Sequence, residues 1–108
     1  MLIRRTKHAT DFLILANATV RDERLSYTAR GVLAELLSRA DGWETTADRM
    51  SQQARRARGS ARGEGRRAIR AAWAELEAAG YLHRFRAQDE AGRWTTTTVV
   101  TDVPHTRK

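Results

Sequence analysis

The apolar positions of the chain fall into two helical stripes and one alternating segment. Ala29, Val32, Leu33, Leu36 and Leu37 recur at i, i+3, i+4, i+7 and i+8, the spacing that lays one continuous apolar face along a helix. With Ser26 as N-cap, this predicts a helix over residues 27–39, ended by Asp41-Gly42, where the glycine is free to take the left-handed conformation that closes a helix. Ile69, Ala72, Trp73, Leu76 and Ala79 form the second stripe, on a helix that begins near Glu64 or Gly65 and stops before Gly80, its C′ residue. Between these two, Thr45 and Asp48 have the spacing of a capping box and open a helix from about Thr46 to Arg55 or slightly beyond. Its inward face is thin, with Ala47, Met50 and Ala54 as the inward residues.

The remaining segments read as strands and turns. Residues 12–16 are an apolar run that predicts a short strand, and Asn17 after it caps a brief helical turn through Arg21. Past Gly80, residues 81–87 alternate apolar and polar, residues 88–92 are turn material, and residues 93–101 are rich in β-branched side chains, which together predict a hairpin. The early strand is free to pair at the hairpin's edge. Residues 58–65 contain three glycines and predict a loop between the middle helix and the last one. The order is strand, three helices, hairpin. It is an α+β class, and a three-helix core with a C-terminal hairpin against it is the winged helix-turn-helix, with a short N-terminal strand. Residues 1–10 form an N-terminal arm, 11–102 the domain and 103–108 a flexible tail after the single proline, Pro104.

At 108 residues the chain is one domain, large enough to bury roughly two-thirds of the surface its unfolded form exposes. It has no cysteine, so disulfides, thiolate metal sites and cysteine nucleophiles are excluded. His8, His83 and His105 are too dispersed for a metal site, and no serine has a recognisable base and orienting acid beside it. The expectation is a binding protein with no cofactor, not an enzyme. The apolar run at residues 12–16 is too short to cross a bilayer and the N-terminal residues lack the apolar region of a signal peptide, which leads us to expect a cytoplasmic, nucleoid-associated protein.

Charge changes the picture most. Twenty Lys and Arg stand against thirteen Asp and Glu, a net +7, and residues 51–70 hold seven arginines against Glu64 alone. The surplus is local, which gives a directed field and a footprint for phosphates. All seven cations are arginine, whose planar fork fits phosphate and the guanine edge bidentately.

The run from Arg24 to Ala34, followed by Trp43 and then by the run from Ala68 to Leu82, resembles the winged helix-turn-helix domains of small actinobacterial and phage or plasmid proteins, and is similar to the replication-initiator-like branch. The resemblance covers residues 12–101 and implies binding of double-stranded DNA, as a transcriptional regulator or as a replication initiator or accessory factor of a mobile element. Such domains join their second and third helices by a tight turn, whereas residues 55–63 are longer and rich in Arg and Gly. Either the middle helix is extended and the loop is an extra phosphate-binding arm, or the last helix starts earlier, near Ala61.

In a helix-turn-helix, the N-terminal half of the last helix reaches base edges, which makes Arg66, Arg67 and Arg70 the base-reading residues. Arg55, Arg56, Arg58 and Arg62 are the expected phosphate contacts. At the hairpin tip, Asp89 and Glu90 oppose phosphate, leaving Arg84, Arg86 and Arg93 as the useful cations, with Arg93 foremost. Trp43, Trp73 and Trp94 are expected to pack in the core or on the hairpin. The strands show no pair of exposed aromatics at alternate positions of the sort that stacks RNA bases. The expected partner is double-stranded DNA and no membrane; a homodimer and a protein partner stay open, and a winged helix used as a protein-interaction module is the rival reading.

Overall fold

The computed structural model of the chain describes residues 1–5, 10–40 and 42–104. His8, His105, the helix stop placed on Asp41, and parts of the expected arm and tail lie outside the described residues. The order is α1 (Asn17–Val20), α2 (Tyr27–Leu37), α3 (Ala47–Arg58), α4 (Arg66–Ala79), β1 (Leu82–Gln88) and β2 (Trp94–Val100), an α+β arrangement of four helices followed by an antiparallel hairpin.

The central element is α4, which packs against α2, α3 and β1. Its five expected inward residues, Ile69, Ala72, Trp73, Leu76 and Ala79, are all buried, and Gly80 closes the helix in the left-handed conformation with φ at 91°. The core adds Leu25, Ala29, Val32 and Leu33 from α2 and its approach, Met50 from α3, and Tyr81 and Leu82 from the start of the hairpin. Glu75 of α4 also ties down α2. It accepts from the Ser26 N–H at 2.7 Å and the Ser26 hydroxyl at 2.9 Å, while Ser26 caps α2 by accepting from the Ala29 N–H at 3.1 Å. The hairpin pairs Leu82 with Val100 through Gln88 with Trp94, so the Leu82/Val100 ends lie against the core and the tip projects away from it.

Several expectations are corrected. Residues 12–16 form no strand: among the described residues the sheet is β1 and β2 alone, and Ile14 is 77% exposed. An apolar, β-prone run becomes a strand only if an edge takes its backbone N–H and C=O groups, and here no edge does. Asn17 is the first residue of α1, not its cap; Ala16 holds that place without a side-chain bond. The chain end reaches this region through the Thr19 hydroxyl, which donates to the Asp102 carbonyl at 2.6 Å. Helix α2 stops at Leu37 with Ser38 as C-cap, four residues before Gly42, whose φ of 87° serves the following turn. The α3 cap is Thr46, which accepts from the Arg49 N–H at 3.1 Å, and no Thr45–Asp48 box forms. Asp48 is engaged elsewhere.

Of the two alternatives for the linker, α3 is the extended one. It runs to Arg58 and ends at Gly59, whose φ of 90° is in the region that favours glycine. Ser51, a buried polar residue the apolar pattern passed over, donates its hydroxyl to the Glu64 carbonyl at 2.8 Å and draws the linker back onto α3. Among the described residues, no helix is long and apolar enough to cross a membrane.

Candidate nucleic-acid interface

The linker geometry gathers the arginines. Residues 59–65 turn back on α3, with the Gly63 N–H donating to the Gly59 carbonyl at 2.9 Å, so that the linker carries the chain from the last turn of α3 back to Ser51, beside which α4 begins. Arg55, Arg56 and Arg58 lie in the last turn of α3, where cations meet the partial negative charge of a helix C-terminus. Arg66 and Arg67 do the opposite. They open α4 at its partial positive end, with no acid in that turn and with Gly65 offering no side-chain cap. That local arrangement costs stability and concentrates positive potential at one place.

Among the described residues, Arg55, Arg56, Arg62, Arg66 and Arg67 have neither an ion pair nor a side-chain hydrogen bond, and all are exposed. Arg58 differs, reaching Glu64 at 3.4 Å, the only acid of the segment. Arg70 differs more. It donates from Nε to Asp48 Oδ1 at 2.9 Å and from Nη2 to Asp48 Oδ2 at 2.8 Å, linking α4 to α3. The Arg70 guanidinium, with Arg66 behind it, holds the Asp48 carboxyl below its ordinary value, so it is charged at neutral pH.

The exposed side of α4 continues from Arg67 through Ala71, Ala74 and Ala78 at successive helical spacings. Short side chains there let the backbone approach another surface closely.

The hairpin cations are less available than the linker ones. Arg84 pairs with Glu77 and lies over the Trp73 ring, Arg86 lies over the Trp94 ring at 5.2 Å, and Arg93 reaches Asp89 at 3.2 Å. Asp89 is itself a turn residue, accepting from the Ala91 and Arg93 N–H groups at 2.9 Å each. Trp73 is buried as expected, but Trp43 is 38% exposed beneath Arg39 and Trp94 is 61% exposed, so neither is a core residue. Phe85 and Trp94 are exposed aromatics on the two strands. Phe85 opposes Thr97 and Trp94 opposes Gln88, which places them on opposite faces.

Sequence reasoning missed Asp48 and Arg49. Asp48 is the sole acid of α3, a signal the capping-box reading absorbed, and Arg49 stands beside it on the wall of a cleft of about 1000 Å³ that also takes in Arg70 and the Thr96 to Thr98 edge of β2. No protein-family model, curated protein or solved structure matches the chain.

Proposed function

We propose that the protein is a winged helix-turn-helix that binds double-stranded DNA with sequence specificity and acts as a transcriptional regulator. In this reading α3 and α4 are the two helices of the motif, α4 enters the major groove and the hairpin is the wing. The observation that carries it is the set of five arginines, Arg55, Arg56, Arg62, Arg66 and Arg67, at the α3–α4 junction, none of which makes an ion pair or a side-chain hydrogen bond among the described residues. An ordinary solvated surface mixes its charges, and exposed arginines within reach of acids pair with them. Here two arginines stand on the positive end of a helix that lacks a cap, an arrangement that a phosphate satisfies and water does so less well.

The rest of the surface fits the same partner. Arg67 begins a face of small side chains on α4 that can lie against base edges and thymine methyl groups. Arg55, Arg56 and Arg62 flank it as phosphate contacts, with Arg58 able to exchange its long, exposed bond to Glu64 for a phosphate. The test is selection of bound sequences from a random duplex pool. A single enriched motif is expected, and its symmetry reports whether one copy or two bind. Failure to enrich any motif, or tighter binding of single-stranded RNA than of duplex, would overturn the reading.

A further inference from the structure

The Arg70–Asp48 pair uses one edge of the guanidinium and leaves another untouched. Nε and Nη2 each give one N–H to the two carboxylate oxygens, a side-on fork. Of the five guanidinium N–H groups, three remain, two on Nη1 and one on Nη2, and along the end of the side chain one from each nitrogen points the same way. That end is the pair of donors that fits O6 and N7 of guanine.

The pair links α4 to α3, but it does so at the surface. The side chains are 59% and 38% exposed, so the bond adds little to stability. Its effect is on freedom, since an arginine otherwise samples many rotamers, each of which must be given up when it binds. Asp48 is well placed to impose that order, standing in the first turn of a helix capped by Thr46. An acid beside a phosphate-binding surface weakens general attraction to DNA, so its presence trades affinity for discrimination.

We propose that Asp48 is a positioning residue that presents the free edge of Arg70 to a guanine in the major groove. The inference rests on the duplex-binding reading above and names the base edge that the site takes. Asp48 touches Arg70 and acts on the base only through it.

The experiment uses the full chain and the duplex recovered by selection, with each guanine in turn replaced by 7-deazaguanine, which lacks the N7 acceptor. The parent is expected to lose affinity on the order of tenfold at one guanine. Asp48→Asn and Asp48→Ala are expected to lose that sensitivity while binding random duplex as tightly as the parent or more so, with unchanged circular dichroism. Loss of discrimination together with a gain in general affinity is a combination that mere removal of a repulsive charge does not produce. If both variants keep the parent's sensitivity at that guanine, or if the parent binds duplex with no sensitivity at any guanine, the role of Asp48 is overturned and the duplex reading stands. A parent that binds no duplex overturns both.

Discussion

Gly63 lies so close to Ala54 that a Cβ built on it would stand 2.5 Å from the Ala54 carbonyl carbon. The neighbour is backbone, which cannot swing aside as a side chain would, and the close approach holds the linker onto α3. Gly63→Ala should therefore strain the junction, with a loss of about 1–3 kcal/mol, read as a fall in Tm of several degrees in thermal unfolding. Gly31, where a Cβ meets nothing within 4 Å, supplies the control: Gly31→Ala, inside α2, should not destabilise.

Gly65 separates stability from function. It is the N-cap of α4, has open space around it and makes no side-chain cap bond. Gly65→Asp should add a cap and an acid at the positive helix end, raising stability by a few tenths of a kcal/mol, roughly. Beside Arg66 and Arg67 the same acid should weaken duplex binding. Equal or tighter binding by the more stable variant would place the DNA elsewhere on the surface.

Trp73 is the largest side chain of the α4 stripe, and its buried Nε1 has no hydrogen-bond partner among the described residues. Trp73→Ala should cost on the order of 3–5 kcal/mol by chemical denaturation. Trp73→Phe should cost much less than its reduced volume implies, because it removes an unsatisfied N–H along with the indole ring.

Asp22 accepts from the Arg24 backbone N–H, Nε and Nη2 and from the Tyr81 hydroxyl at 2.6 Å, which holds its carboxyl far below the ordinary value of 3.8. A carboxyl depressed by folding contributes stability above its unfolded pKa, and that contribution disappears as the pH falls toward the folded value. Asp22→Asn should thus lower Tm at neutral pH, with a gap from the parent that stays constant down to a pH of about 4 and narrows below it. A gap independent of pH would mean that charge at Asp22 plays no part.

Local patterns made α4 and the hairpin legible. Five apolar positions at helical spacing before Gly80, and an apolar–polar alternation before a turn with β-branched residues after it, each state their structure within a few neighbours. Residues 12–16 show the limit. Their composition favours a strand, but strand formation depends on a free edge far along the chain, which the sequence does not display. The site divides the same way. The arginine surplus of residues 51–70 could be counted, whereas the engagement of Arg70 by Asp48, 22 residues away, depends on how α3 and α4 cross. The exposed positions of Trp43 and Trp94 likewise follow from the tertiary arrangement, in which each ring lies beneath an arginine at the surface.

Arginines of the α3–α4 junction that neutralise duplex phosphates release counterions on binding, and the salt dependence of affinity reports that release. Duplex affinity should be followed against salt concentration for the parent and for a variant with Arg55, Arg56, Arg58 and Arg62 all changed to Gln. For every phosphate that the variant no longer neutralises, the slope of log affinity against log salt should shrink by about 0.9, with the base preference retained. A four-Gln variant with the parent's slope would mean that the junction is a solvated surface that DNA does not touch.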